Sequence, residues 1–150
     1  MVNLLNKSRK KPYKIGYTTG VFDLFHVGHL ALLRNAKALC DHLIVGVTSD
    51  ELVSYKGKSS VISYVDRAAV IEGIKYVDQV IPQRELDKVI AWKKLKFNVL
   101  FVGDDWYESP TWDLYEKELR DLNVAVMYFP YTESVSSTKI NMVIDEQRRK

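Results

Sequence analysis

Cysteine occurs once in this chain of 150 residues, at Cys40, so no disulfide can form within it. The lone thiol follows Leu39 on a helical pattern and reads as a small buried side chain in a reducing cytosol, not as a nucleophile. Apolar runs are short. None approaches the roughly 18–20 residues needed to cross a bilayer, and the opening MVNLLNKSRKK has too little apolar length for a signal peptide. The expectation is a cytoplasmic protein with no membrane partner. No Pro/Gly/Ser-rich linker interrupts the sequence, so residues 1–150 read as a single domain with basic tails at 1–12 and 146–150.

A continuous positive face is missing too. The formal net charge is +3, but Lys7, Arg9, Lys10, Lys11, Arg148, Arg149 and Lys150 crowd the two ends. Residues 12–147 hold 15 basic side chains against 19 acidic ones, a net of −4. An acidic body with short basic ends offers nothing for a phosphate backbone to track, which discounts nucleic acid as a partner.

What is present is a regular alternation. Strand-like apolar runs, YKIGYTT (13–19), HLIVGVTS (42–49), QVIP (79–82), NVLFVG (98–103) and VAVMYFP (124–130), alternate with segments of helical periodicity. The helical segments are LALLRNAKALC (30–40), YVDRAAVIEGIKYV (64–77), a stretch around Leu86 to Lys94, and TWDLYEKELRDL (111–122). HLIVGVTS is apolar without interruption, as in a strand covered on both faces. Such alternation predicts an α/β fold, a Rossmann-like parallel five-stranded sheet with helices on both faces and right-handed crossovers. Ligands of such sheets bind beyond the carboxyl ends of the strands, where the strand order switches.

The stretch TTGVFDLFHVGHLALL (18–33) lies at such an end, and it holds two of the three histidines, His26 and His29. Thr19, Gly20 and Phe22 fall on the same ligand side. Gly28 allows close approach of the backbone, and a helix beginning near His29 offers free N–H groups and a positive dipole end to an anion. Two imidazoles one turn apart can then donate to one phosphate. The competing reading is that one histidine caps the helix while the other packs in the core.

GVFDLFHVGH resembles the G-x-F-D-x-x-H-x-G-H signature of the HxGH nucleotidylyltransferase superfamily. SYVDRAAVIEGIKYVDQVIP, VGDDW and YTESVSSTKI resemble, in order and spacing, segments of the glycerol-3-phosphate cytidylyltransferases, so the likeness runs from about Tyr17 to Ile140. It implies transfer of CMP from CTP, accompanied by Mg²⁺, to a small phosphorylated alcohol or related phosphate monoester, releasing pyrophosphate. It further implies a homodimer and a place in surface polysaccharide synthesis. In that chemistry an acceptor oxygen attacks the α-phosphorus in line, and the protein's task is positioning and charge stabilisation.

The resemblance also suggests roles. His26 and His29 would face the α-phosphate and the bridging oxygen, and Lys56 and Lys58, around Gly57, would reach the phosphates. Arg67 resembles the arginine of the family's DR dipeptide and can hold phosphate oxygens bidentately, or else pair with Asp66 or Asp50. Asp104 and Asp105 would meet the ribose, the cytosine amino group or Mg²⁺. Ser136, Ser137 or Thr138 would cap a further helix and bind pyrophosphate oxygens. The chain departs from the pattern in carrying Lys75 and Tyr131 where arginines are usual, and Ser134 for a glycine. Two rival readings remain open: an adenylyltransferase of the same superfamily, and a catalytically weakened nucleotide-binding regulatory protein.

Overall fold

Period-two packing builds the centre of the molecule. In the strand Cys40–Thr48 (β2), Leu43, Val45 and Val47 enter one apolar cluster while Ile44 enters the other. Val99 and Phe101 of the strand Val99–Gly103 (β4) join the first cluster, and Leu100 joins the second. Successive side chains of a strand point to opposite faces, so both faces of this sheet need covering. The computed structural model describes residues 10–103, 110–130, 145–147 and 149.

Around these strands the described chain runs β1 (Tyr13–Gly20), α1 (Val27–Leu39), β2, α2 (Asp50–Tyr55), α3 (Tyr64–Glu72), β3 (Gln79–Gln83), α4 (Lys88–Leu95), β4, α5 (Pro110–Asp121) and β5 (Ala125–Phe129). The sheet order is β3-β2-β1-β4-β5, and every pairing is parallel. Leu33 and Ala36 of α1 and Ile71 of α3 cover one face. Trp112 and Leu119 of α5 cover the other. This is the five-stranded Rossmann-like sheet that the alternation predicts. Because the chain builds outward from β1 through β2 to β3 and then returns to place β4 on β1's other side, the order switches at the carboxyl end of β1.

Boundaries differ from the sequence reading where capping acts. Helix α1 starts at Val27 and not near His29, because His26 itself is the N-cap. Cys40, expected at the end of that helix, is instead extended and opens β2, fully buried with its thiol directed to the Ala36 carbonyl. Helix α3 stops at Glu72, where the Gly73 amide bonds back to the last carbonyls, and Ile74–Val77 form turns that still pack on the core. Helix α2 lies between the runs HLIVGVTS and YVDRAAVIEGIKYV, where the sequence pattern marks no helix. Ser49 caps it, Asp50 and Glu51 occupy its first turn, and Leu52 and Val53 are its buried residues, too few for a periodic signal. Gly57 closes it at φ 73°, with its amide on Ser54 and the Lys58 amide on Val53. Among the described residues no helix is long and apolar enough to cross a membrane.

Candidate active site

The loop between β1 and α1 leaves the sheet at the switch point in a strained path. Phe22 and Leu24 take φ of 53° and 50°, a left-handed conformation that costs a residue with a Cβ about 1–2 kcal/mol. Three anchors hold it there. The Phe22 ring is buried in the core, and the Asp23 carboxylate accepts from the Val61 and Ile62 amides at 2.8 and 3.0 Å. Arg67, from α3, donates to the Val21 carbonyl at 2.7 Å. The loop is therefore clamped to residues 61–62 from both sides.

On this platform the two histidines form a reciprocal cap. The Gly28 amide donates to His26 Nδ1 at 3.0 Å, and the His26 amide donates to His29 Nδ1 at 3.3 Å. The rings stack with centroids 3.9 Å apart, and Phe22 and Phe25 each lie 5.4 Å from the His29 ring. Capping and anion donation are thus not rivals. An Nδ1 that accepts a main-chain hydrogen bond must be unprotonated in the neutral ring, so the proton resides on Nε2. Burial lowers the pKa of His26, while burial, aided by His26 and opposed by Asp23, lowers that of His29 to about 4. The pair therefore presents two neutral Nε2–H donors near pH 7.

Lys56 lies close enough to both Lys58 and Lys88 for their charges to bear on one another, and Lys88 is not among the sequence-predicted site residues. Lys56 is the C-cap of α2, and Lys58 follows beyond Gly57. Burial first, and then Lys58, lower the pKa of Lys56. Lys88, the first residue of α4, is only 9% exposed, and its ammonium nitrogen lies 2.7 Å from Thr19 Oγ1 at the end of β1. Burial, with Lys56 adding repulsion, brings its pKa down to about 7. A buried lysine beside a second lysine and at a helix N-terminus has every local reason to shed its proton unless an anion arrives. Lys88 lies within the weakly periodic stretch around Leu86 to Lys94, where the pattern does not single it out. A lysine at the first position of a short helix, after the N-cap Asp87, was the available signal.

Arg67 requires a correction. Its side chain is 0% exposed, and Nε donates to the Ile62 carbonyl at 2.8 Å. One terminal nitrogen serves the Val21 and Thr48 carbonyls at 2.7 and 2.8 Å, and the other pairs with Asp50 at 2.6 Å. Four of its five N–H groups are committed to protein acceptors, so the guanidinium is a strut beneath the site and not a fork open to phosphate. Of the two acidic partners weighed for it, the structure selects Asp50. Phe22, placed among the nucleotide contacts by the sequence reading, instead lies in the core against His29. Gly20 ends β1 opposite Val47 of β2, beside Thr19. Lys75 sits after α3, with its nitrogen 5.2 Å above the Tyr76 ring.

Asp104, Asp105, Ser136, Ser137 and Thr138 lie outside the described residues, as do Trp106, Tyr131, Ser134 and Lys139. Among the described residues no group of three or more His, Cys, Asp or Glu side chains could hold a metal ion.

The cytidylyltransferase-like family model matches residues 17–143. The glycerol-3-phosphate cytidylyltransferase of Bacillus subtilis is 37% identical over 130 residues, covering 82% of this chain and 91% of its own. An FAD synthase of Archaeoglobus fulgidus is 35% identical over 127 residues, covering 85% and 92%. Among solved structures, a lipopolysaccharide core biosynthesis protein from Thermoplasma volcanium superposes with a TM-score of 0.67 at 27% identity, covering 82% of this chain and 99% of that one.

Proposed function

The chain belongs to the cytidylyltransferase-like family, and on that premise we propose that it transfers CMP from CTP to a small phosphorylated alcohol or related phosphate monoester. The observation that carries the reading is the histidine pair, whose Nδ1 atoms are occupied by the helix cap while two neutral Nε2–H donors stand side by side at the switch point. Donors fixed before the reaction are what a phosphoryl transfer needs, since charge grows on the equatorial and leaving oxygens and no reorganisation is then required. The acceptor oxygen attacks the α-phosphorus in line and pyrophosphate departs. In this reading His26, His29 and the α1 amides donate to the α-phosphate and the bridging oxygen. Lys56 and Lys58 supply the positive charge, and Lys88, held in place by Thr19, adds to it when it carries a proton. Mg²⁺ travelling with the triphosphate would offset charge on the leaving group, although the described residues offer it no ligand cluster of their own.

Tyr131 and Ser134 replace an arginine and a glycine of the resembled pattern, which supports an acceptor other than glycerol 3-phosphate; the alternative is an unchanged acceptor with Lys75 or Lys139 supplying the missing charge. A phosphorylated polyol, an amino alcohol phosphate or a phosphorylated amino-acid derivative fits that change, and the Thermoplasma relative supports a place in surface polysaccharide synthesis. The FAD synthase relatives favour a second reading, since the product in their name carries an adenylyl group. Pyrophosphate release over a matrix of nucleotides and phosphorylated acceptors tests all of these. CTP should give the highest rates. Equal rates with ATP would overturn cytidylyl transfer while sparing nucleotidyl transfer, and nucleotide binding without pyrophosphate release would favour a regulatory protein. Glycerol 3-phosphate emerging as the best acceptor would sink the altered-acceptor reading.

A further inference from the structure

We propose that Lys88 enters the reaction as a neutral amine and takes a proton from the acceptor's phosphate, so that the attacking dianion and its ammonium partner are created together. The proposal rests on the reaction assigned above, but its central test does not require turnover. The geometry is a buried amine that no carboxylate among the described residues answers. Lys88 Nζ lies 2.7 Å from Thr19 Oγ1 at the carboxyl end of the central strand, and the side chain is nine-tenths buried.

The described groups around Lys88 supply it no counter-ion. Lys56, on α2, is the charge that bears on it, and Lys58 in turn bears on Lys56. On its own helix, the Asp87 carboxylate is engaged with the Val89 and Ile90 amides. From β2 and β3, Thr48 and Gln83 bond to each other, and the Gln83 amide reaches the Glu85 carbonyl. In the β1–α1 loop, Asp23 is engaged with the Val61 and Ile62 amides, and His29 is neutral near pH 7. Asp104 and Asp105 follow β4, the neighbour of β1, and lie outside the described residues. The ion pairs among the described residues are Lys37–Asp78, Arg67–Asp50 and Arg120–Glu116, and none includes Lys88.

A phosphate monoester loses its second proton near pH 6, so around neutrality part of the acceptor arrives as a monoanion. Lys88, with its pKa brought to about 7, is matched to accept that proton. The acceptor's P–O–H bond breaks, an N–H bond forms on Lys88, and the charges become dianion and ammonium. A lone pair of the dianion then forms the new O–P bond to the α-phosphorus, and the α–β bridging oxygen leaves with its electron pair as pyrophosphate. Once the less charged product departs, Lys88 returns its proton to solvent. When the acceptor arrives already as a dianion, the same amine must take its proton from solvent.

That last consequence gives a measurement independent of CTP chemistry. Inorganic phosphate is titrated into the full chain at pH 8 by calorimetry in buffers of different ionisation enthalpy. The wild type should take up about one proton per phosphate bound, whereas Lys88→Arg, charged at all these pH values, should take up none. Lys88→Met should bind phosphate at least tenfold more weakly, also without uptake, which covers the case in which arginine disturbs the fold. Absence of phosphate binding in the wild type, binding without uptake, or equal uptake in the variants overturns the proposal. If uptake is found but the nucleotide matrix yields no pyrophosphate, the proton coupling stands and the transferase reading falls.

Discussion

Replacing Arg67 by methionine separates a structural strut from a phosphate ligand. The guanidinium is fully buried and donates to three main-chain carbonyls, those of Val21, Thr48 and Ile62, within 2.7–2.8 Å. Methionine fills most of the volume but leaves three acceptors without donors, each costing about 1–3 kcal/mol if no water replaces the arginine. The Asp50 leg adds little, because that carboxylate is half exposed and remains solvated on its own. Allowing for partial hydration, the loss is about 3–5 kcal/mol, the range found when one partner of a buried charged network is deleted. For a domain of this size that lowers the melting temperature by about 6–20 °C. Urea unfolding followed by circular dichroism should show a lower midpoint with an unchanged slope. Lysine should recover only part of the loss, since a point charge cannot serve three separated carbonyls. If Arg67→Met keeps its stability within about 1 kcal/mol and loses phosphate affinity instead, the strut argument is wrong and the arginine is a ligand.

Three further outcomes follow from the same geometry. His26→Asn retains a good N-cap and should unfold like the wild type, yet turnover should fall about 10²-fold, as should that of His29→Ala; a near-normal rate in either removes that residue from the phosphate site. Lys88→Met should raise the urea midpoint at pH 7–8 while depressing turnover, because the folded amine titrates near 7 against 10.5 in an unfolded chain. Between those values the unfolded state binds the proton preferentially, so burying the lysine costs stability as pH falls from 10.5 to 7, and a lower midpoint for Lys88→Met would contradict this. For His29 the window is lower. Its folded pKa of about 4 lies below the ordinary 6.5, so stability is full above 6.5 and declines as pH falls toward 4; a midpoint-versus-pH curve should decline less steeply over that window in His29→Asn.

Much of this molecule was legible from local order in the sequence. The uninterrupted apolar run of β2 announces a strand covered on both faces, and the alternation of such runs with helical periodicity leaves a parallel sheet as the economical arrangement. The i, i+3 spacing of His26 and His29 is itself a capping distance, so their pairing was encoded within four residues; only the use of both Nδ1 atoms for the cap needed coordinates, since histidine is not among the usual N-cap residues. The signature around those histidines identifies the superfamily, and SYVDRAAVIEGIKYVDQVIP, VGDDW and YTESVSSTKI narrow it to the family. Tertiary structure alone decided the rest. Thr19 and Lys88 stand 69 residues apart in sequence, and Arg67 reaches back 46 residues to Val21. No periodicity or spacing rule spans such distances, because a crossover can deliver a side chain to either neighbour of a strand until the sheet order is known. That order put α4 beside the end of β1 and α3 beneath the histidine loop. It thereby made one lysine, unremarked in the sequence, a buried amine at the switch point, and turned one arginine that reads as a phosphate fork into a strut.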